Sequence, residues 1–261
     1  MLNMSLEGHL GELRRALLIA LGAMAVATVL CFIFNRPLME LLMRPAGPIK
    51  FIFVAPAESF MATIKVSALG GLFLSLPIML HQLYWFVKPG LTSKERSYAG
   101  PLLLAAYGFF VLGVVFAYTL MLPLGLKFLY GFIMVDNLSA MPSIGNYVSF
   151  TATFLLVTGL IFELPLILLF LTVIRIVNAE FLAQHRRYAI VGSFFVAMVV
   201  SPSADAFTQF LMAGALIGLY EVSIWLIRFV APSYIEPPLL QRRLSVASTA
   251  PVESERSSRG E

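Results

Sequence analysis

The chain alternates between long apolar runs and short polar segments, and the apolar runs have the length of membrane-spanning helices. A hydrocarbon core about 30 Å thick is crossed by about 20 helical residues. Apolar runs of about that length occupy residues 16–34, 66–87, 101–123, 147–174, 187–201 and 206–230. The pattern predicts an all-α fold, a polytopic membrane protein with six transmembrane helices that form one domain over residues 1–231.

The fifth run is the shortest of the six. Roughly fifteen helical residues are about 22 Å long, several ångströms less than a hydrocarbon core. Two explanations stay open. Either the bilayer thins or partner helices cover the mismatch, or Arg186 and Arg187 extend the helix by snorkelling to the interface.

The distribution of Lys and Arg predicts the orientation. Six spans with a cytoplasmic N-terminus place only five of the 18 cationic residues on the outer side, namely Arg36, Arg44, Lys50, Lys65 and Lys127. The remaining Lys and Arg residues fall on the inner side, which is the direction of the positive-inside rule. Both termini are therefore predicted to be cytoplasmic. Residues 232–261 are rich in Pro, Ser, Arg and Glu and predict a disordered tail.

The first apolar run follows a polar helical turn that carries His9, Glu12, Arg14 and Arg15. Two arginines before an apolar run also mark an export signal. This run is longer than a signal core and further spanning runs follow it, which favours a first membrane span. Glu12 then lies at the cytoplasmic surface, where it either binds a guest or merely pairs with Arg14 or Arg15, a contact that stabilises little.

Two outer segments differ from ordinary loops. Residues 35–65 contain four prolines but are rich in Leu, Met, Phe and Ile, and residues 124–146 begin as an apolar helix and end in turn-forming residues. Prolines stiffen such segments, and their apolar side chains need burial. Both are predicted to be structured caps on the outer surface.

Composition supports a membrane protein and narrows the function classes. Of the 261 residues, 59% are hydrophobic and 12% are charged, with a mean hydropathy of +0.89. Soluble domains carry roughly twice that charged share. The net charge of +4 is modest and reflects loop orientation rather than nucleic-acid binding. The single cysteine, Cys31, lies in the first span and is predicted to pack there.

Motifs for cofactor or metal chemistry are absent from the sequence. It has no P-loop, no dinucleotide fingerprint and no His-Glu-x-x-His or paired-cysteine spacing. No aqueous segment is long enough for a separate catalytic domain. The prediction is a protein that is not an enzyme and that uses no cofactor and no metal.

Glu163 lies near the middle of the fourth apolar run, two residues before Pro165. An ionised carboxylate at that depth costs about 2.5–3.5 kcal/mol on insertion scales, so it should face a partner, a cavity or water. Pro165 lacks an N–H group and is predicted to kink the helix beside the acid. A docking or proton-sensitive site is favoured over a protonated glutamate that only bonds to another helix.

Two further polar residues occupy the sixth run. Glu221 lies in its inner half, two helical turns before Arg228, so pairing with that arginine is the simple alternative to a functional role. Gln209 lies near the outer end of the same run. Among the interfacial aromatic residues of the second run, His81 is predicted to be hydrogen-bonded packing rather than a catalytic group.

The first inner loop carries one acid, Glu95, which the predicted orientation places on the same face as Glu12. Two carboxylates at one surface are able to bind a guest with two adjacent arginines, each through a fork-like pair. The physics permits this arrangement without requiring it.

Several motifs along residues 5–230 together resemble the TatC family, the polytopic core of the twin-arginine protein translocase. The matching stretches are His9-Leu-Gly-Glu-Leu-Arg14, Pro56-x-Glu58-x-Phe60 with Lys65, Pro77, Gln82-x-Tyr84-x-Phe86, Pro89-Gly-Leu-x-x-x-Glu95-Arg96, Phe162-Glu-Leu-Pro165, Arg187-Tyr188, Ser201-Pro202, Asp205 to Gln209 and Leu219-Tyr-Glu221. Each motif is weak alone, but the ordered set is specific.

The resemblance implies a concave, glove-like bundle with short fifth and sixth helices. It implies a receptor for twin-arginine signal peptides and a scaffold of a translocase that exports folded proteins, driven by the proton-motive force. The implied location is the bacterial cytoplasmic (inner) membrane. The implied partners are TatA- and TatB-type single-span subunits, other TatC copies, the signal peptides of folded precursors and the lipid bilayer, without nucleic acid.

The resemblance also implies residue roles. Glu12 and Glu95 would recognise the arginine pair. The other residues implied in signal-peptide binding are His9, Leu13, Arg14, Pro89 and Arg96. The residues implied in intramembrane partner contacts are Glu163, which would face the concave side, Gln209 and Glu221. One departure is visible, because the outer turn 201–205 reads Ser-Pro-Ser-Ala-Asp where the family commonly has Thr-Pro-Pro-Asp.

Two other function classes remain open at this point. A secondary transporter would use Glu163 as a proton relay for a small solute and would show paired broken helices in an inverted repeat, which the sequence lacks. A pure assembly scaffold would use its acids only for internal pairs.

Overall fold

A computed structural model describes residues 6–90, 93–131, 141–174, 176–203 and 205–230, with the backbone alone for residues 6–9, 90, 93–99 and 230. Within these ranges the regular secondary structure is helical, apart from an isolated parallel bridge between Ile52 and Ser143, and turns and loops connect the helices. The α-helices are α1 (Leu6–Ile33), α2 (Asn35–Met43), α3 (Pro56–Val87), α4 (Ser93–Phe116), α5 (Leu122–Gly131), α6 (Ile144–Ile161), α7 (Leu164–Val173), α8 (Ala179–Gln184), α9 (Arg186–Val200) and α10 (Ala206–Val230). The predicted tail, 232–261, lies outside the described residues.

Five described helices are long and apolar enough to cross a membrane, namely Leu10–Ile33, Pro56–Val87, Gly100–Gly131, Ile144–Val173 and Ala206–Phe229. The fifth predicted span is helix α9, which has 15 residues and falls short of spanning length. The predicted short sixth helix is wrong, because α10 has 25 residues. Its apolar sequence continues to Phe229 without a proline, so nothing ends the helix earlier.

Helices α1 and α3 form an antiparallel pair that approaches closely where α3 carries two glycines. A Cβ atom on Gly71 would lie 2.6 Å from the Cα and backbone N of Thr28, and one on Gly70 would lie 2.9 Å from Sγ of Cys31. Cys31 is buried in this contact, as predicted. Most other apolar side chains of α1 are exposed, as expected for a helix that faces lipid.

The third long helix continues beyond the predicted run. A π-helical segment, Ala117–Met121, connects α4 to α5. Leu122 donates its N–H to the carbonyl of Ala117, five residues back. This wider register lets the helix pass Pro123, which has no N–H of its own.

The fourth predicted span is interrupted beside its acid. Helix α6 ends at Ile161 and α7 begins at Leu164, so Phe162 and Glu163 form the break. The predicted kink next to Pro165 is thereby confirmed. Gly113 of α4 faces Phe162, and Gly159 of α6 faces Phe110. A Cβ atom added to either glycine would lie 2.7 Å from the nearest side-chain atom of the phenylalanine that it faces. These two reciprocal contacts fix α4 against α6 around the break.

The cap formed by α2 is held by tyrosines from neighbouring helices. Tyr118 donates its hydroxyl to the carbonyl of Leu41 at 2.6 Å, and Tyr147 donates to the carbonyl of Leu42 at 2.8 Å. Both acceptors belong to the last turn of α2, and the carbonyl of Leu41 also accepts from the N–H of Arg44. The cap is therefore structured as predicted, and it packs on the main hydrophobic core with α3, α6 and α10.

Glu58 joins the two segments that were predicted to be caps, residues 35–65 and 124–146. Its Oε2 accepts from the backbone N of Val54 at 2.6 Å. Its Oε1 accepts from the backbone N of Gly145 at 2.8 Å and from the hydroxyl of Ser143. Because Glu58 stands in the first turn of α3, it also satisfies helix-end N–H groups there. Helix α3 consequently begins ten residues before the apolar run from which the second span was predicted.

Candidate functional sites

A cavity of about 370 Å³ opens between the first turns of α1 and the last turns of α3. The residues that line it are Glu12, Arg15, Ala16, Ile19, Gln82, Trp85 and Phe86. The antiparallel pairing of the two helices creates this arrangement, because it brings the polar start of α1 beside the aromatic end of α3. The cavity thus combines one carboxylate and the guanidinium of Arg15 with two aromatic walls and an amide.

The Trp85 wall is fixed by its neighbours. Its indole N–H donates to Nε2 of His81 at 2.9 Å. The ammonium of Lys88 lies 4.3 Å from the centre of the indole ring, within the range of a cation–π contact. The hydrogen bond predicted for His81 is confirmed, and its side chain is exposed. Together these contacts hold the indole at the edge of the cavity in one orientation.

The remaining predicted signal-peptide residues surround the same end of α1 and α3. Leu13, Arg14 and Pro89 are exposed. The 3₁₀ turn Lys88–Gly90 follows α3 directly, and the backbone of Glu95 lies in the first turn of α4. The side chains of His9, Glu95 and Arg96 lie outside the described residues. The backbone brings the Glu95 segment to the end of the bundle where Glu12 lies, and the joint action of the two carboxylates stays a prediction.

Glu163 is partly buried at the break between α6 and α7. Within the part of the chain that the structure describes, its carboxylate has no hydrogen-bond or ion-pair partner. Its own backbone carbonyl accepts from the N–H groups of Leu166 and Ile167, which starts α7 without a side-chain cap. Such a carboxylate in a membrane span is available to a partner or to a proton.

An open apolar groove of about 540 Å³ lies beside this break. Its lining residues are Phe116, Leu120, Met121, Phe162, Phe207, Phe210, Leu211, Gly214, Ala215, Gly218, Leu219 and Val222. One side is therefore a face of α10, and the other combines Phe162 with the π-helical segment and the end of α4. Gly214 and Gly218 are exposed, and nothing lies within 4 Å of a Cβ atom added at either position.

Glu221 forms an ion pair that the sequence analysis did not predict. Its Oε2 lies 2.8 Å from a guanidinium nitrogen of Arg186, and both side chains are about half exposed. Glu221 therefore pairs with a residue of α9 and not with Arg228, the partner that the sequence suggested. The reason is the packing of α9 beside α10, which sequence distance does not reveal. An exposed ion pair of this kind contributes little to the stability of the fold.

Gln209 is partly buried near the opposite end of α10, twelve positions from Glu221, which is about 18 Å along a helix. It follows the turn between α9 and α10, where Asp205 accepts from the N–H of Thr208 at 2.7 Å and from the hydroxyl of Ser203 at 2.5 Å. Burial acts to raise the pKa of Asp205, but these hydrogen bonds outweigh it and hold the pKa below its ordinary value. Gln209 and Glu221 consequently do not form one polar cluster.

Two residues with clear structural roles were missed by sequence reasoning. Glu58 was named only as part of the motif Pro56-x-Glu58-x-Phe60, and its capping role was not predicted. A glutamate in the first helical turn after a proline is nevertheless a recognisable capping signal. Trp85 was assigned to the membrane interface, and no local signal places it beside Glu12. Their position around one cavity depends on the pairing of α1 with α3.

Comparisons with known proteins agree with this architecture. Residues 8–214 match the model of the family described as TatC, Sec-independent protein translocase protein. A relative from Synechocystis sp., "Sec-independent protein translocase protein TatC", is 39% identical over 87% of this chain and 89% of its own length. A relative of the same name from Carboxydothermus hydrogenoformans is 35% identical over 88% of this chain and 95% of its own length.

Solved structures are similar as well. A crystal structure entitled "Twin Arginine Translocase Receptor- TatC" is 35% identical, with a TM-score of 0.73, and the match covers 85% of this chain and 98% of the other. A second crystal structure of that receptor, in the detergent DDM, gives a TM-score of 0.74 at the same identity.

Proposed function

Since this chain belongs to the TatC family of Sec-independent protein translocase proteins, we propose that the cavity beside Glu12 receives an arginine of a twin-arginine signal peptide. The chain is a multi-pass membrane protein and the receptor subunit of a twin-arginine translocase. It is a transport subunit rather than an enzyme. A solute transporter and an isolated scaffold are thereby set aside.

The observation that carries the proposal is the composition of the cavity. A guanidinium group forms fork-like, charge-assisted hydrogen bonds with a carboxylate and stacks on aromatic faces. Glu12 supplies the carboxylate, Trp85 and Phe86 supply aromatic faces, and Gln82 supplies a further acceptor. Glu95, at the start of α4, is the second carboxylate in the proposal, and it takes the adjacent arginine.

The proposal includes an orientation in the membrane. The proposal places the cavity and both termini on the cytoplasmic side of the bacterial cytoplasmic membrane, with α9 as a sixth, short span in a concave, glove-like bundle. The distribution of Lys and Arg supports it. A helix of 15 residues is about 22 Å long, so the bilayer beside α9 is thinned or covered by partners. Folded precursors would cross there, driven by the proton-motive force.

Site-specific photocrosslinking in the full-length protein tests the proposal. A benzophenone side chain at Ile19, which lines the cavity, should crosslink a twin-arginine peptide strongly and a twin-lysine peptide weakly, because lysine lacks the planar fork. The same probe at Val29, exposed on the lipid-facing surface of α1, serves as the control. Equal crosslinking of both peptides at Ile19 would contradict the proposal.

For the partners, the proposal assigns a TatA- or TatB-type single-span helix to the groove along α10. Transmembrane helices associate closely where small residues four positions apart let backbones approach. Gly214 and Gly218 have that spacing and are open to the membrane. Glu163 directly follows Phe162, a lining residue, so a polar group on the partner helix would be within reach of its carboxylate. Gln209 and Glu221 are proposed as contacts towards the two ends of the same helix, and further TatC copies would pack beside it.

Filling the groove should block that association. Gly214→Leu and Gly218→Leu are each expected to lower disulfide crosslinking to the single-span partner about tenfold, since overpacking a helix contact costs about 1–3 kcal/mol. Gly108→Leu is the matched control, because Gly108 of α4 is exposed and also has nothing within 4 Å of an added Cβ. Loss of crosslinking in the Gly108 variant alone would place the partner elsewhere.

A further inference from the structure

A third cavity, of about 390 Å³, lies between α1, α3 and α6 on the part of the bundle nearer to the cap. Its lining residues are Met24, Lys65, Ala68, Leu69, Leu72, Ser149, Ala152, Thr153 and Leu156. Lys65 and Leu72 are seven positions apart on α3, and Ser149 and Leu156 are seven positions apart on α6. Each pair therefore spans about 10 Å along its helix axis. The cavity is therefore a narrow, mostly apolar groove with one cation at its end.

Lys65 is held at the mouth of this groove. Its ammonium donates to the hydroxyl of Ser149 at 2.6 Å, and that hydroxyl donates in turn to the carbonyl of Gly145 at 2.6 Å. An ammonium group has three N–H donors, so two remain after the bond to Ser149. Within the described residues no carboxylate pairs with Lys65, and its positive charge is uncompensated.

The depth of Lys65 is that of a polar headgroup. Lys65 immediately precedes the apolar run 66–87, whose length matches a hydrocarbon core, and it lies in the half of α3 that is farther from the Glu12 cavity. An anion held there would meet the membrane interface, while the groove below it faces hydrocarbon. The surface thus offers a cation at headgroup level and an apolar channel at acyl-chain level.

From this arrangement we infer that the groove binds one anionic phospholipid of the leaflet opposite to Glu12. The lipid phosphate accepts the two remaining N–H bonds of Lys65, and an acyl chain lies along Leu69, Leu72 and Leu156. Small residues, Ala68 and Ala152, leave the room for the chain. Ser149 is a positioning residue, because it holds the ammonium over the mouth without contacting the phosphate.

Photoactivatable lipids test this site in the full-length protein. The protein is reconstituted in vesicles of phosphatidylcholine and phosphatidylglycerol, with the photoreactive group on the acyl chain of one lipid at a time. Phosphatidylglycerol should label segments 65–72 and 149–156 more strongly than phosphatidylcholine. Lys65→Gln should lower labelling by phosphatidylglycerol about fivefold, because the loss of one cation weakens binding to an anionic lipid by about that factor. Lys65→Arg should retain it.

Two further variants separate charge from shape. Ala152→Leu fills the groove and should lower labelling by both lipids, whereas Lys127→Gln, an exposed cation on α5, should change neither. Equal labelling by the two lipids in the unaltered protein, or unchanged phosphatidylglycerol labelling in Lys65→Gln, would overturn the inference. Crosslinking of a benzophenone at Leu69 to a second protein instead of lipid would also overturn it, since the groove would then be a helix contact.

Discussion

The Glu12→Gln protein should bind a twin-arginine peptide about 10- to 100-fold more weakly than the unaltered protein. Hydrogen bonds to a charged group contribute about 1.5–3 kcal/mol each, and the amide keeps the size of the carboxylate while it loses the charge. Glu12 lines the cavity beside Trp85, so the loss falls on the arginine that enters there. Titration of a fluorescent peptide against the purified protein in detergent measures the effect.

Glu180→Gln is the matched control for that experiment. Glu180 is an exposed acid in the first turn of α8 and does not line the Glu12 cavity, so its replacement removes the same net charge elsewhere. Its peptide affinity should stay within about twofold of the unaltered protein, because exposed charges interact weakly through water. An unchanged affinity in Glu12→Gln would instead contradict the proposed role of this acid in binding the peptide.

The apolar runs predicted the five long helices well, since spanning length is set by the bilayer and is visible as a run of apolar residues in the sequence. They failed where polar residues extend a helix. Glu58 caps α3 well before the apolar run, and the π-helical segment Ala117–Met121 carries the third helix past Pro123. Both effects depend on individual hydrogen bonds rather than on hydropathy.

The candidate site was predictable only in part. Glu12 stands out in the sequence because it is an acid next to an apolar run, and Glu163 stands out because it lies inside one. Trp85 and Arg186 gave no comparable signal, since each meets its acid across a helix contact. The length of α10 was mispredicted because the expectation came from the resemblance and not from its own uninterrupted apolar sequence.

Gly71→Val should disrupt both the fold and peptide binding. The added Cβ would lie 2.6 Å from backbone atoms of Thr28, and a backbone cannot move aside as a flexible side chain does. Helix α1 must therefore separate from α3, at a cost of about 1–3 kcal/mol or more. The Glu12 cavity is built from the same two helices, so peptide affinity should fall by about tenfold or more, although Gly71 lies far from it.

Gly22→Val on α1 tests whether this effect comes from the helix contact. Nothing lies within 4 Å of a Cβ atom added to Gly22, so valine there should leave thermal unfolding and peptide affinity nearly unchanged. Glu12→Gln should differ from Gly71→Val in stability alone, because both variants should bind the peptide weakly but Glu12→Gln should keep normal thermal stability. If Gly71→Val lowers stability but binds the peptide normally, the α1–α3 contact does not determine the geometry of the receptor site, and the carboxylate of Glu12 must be positioned by other elements.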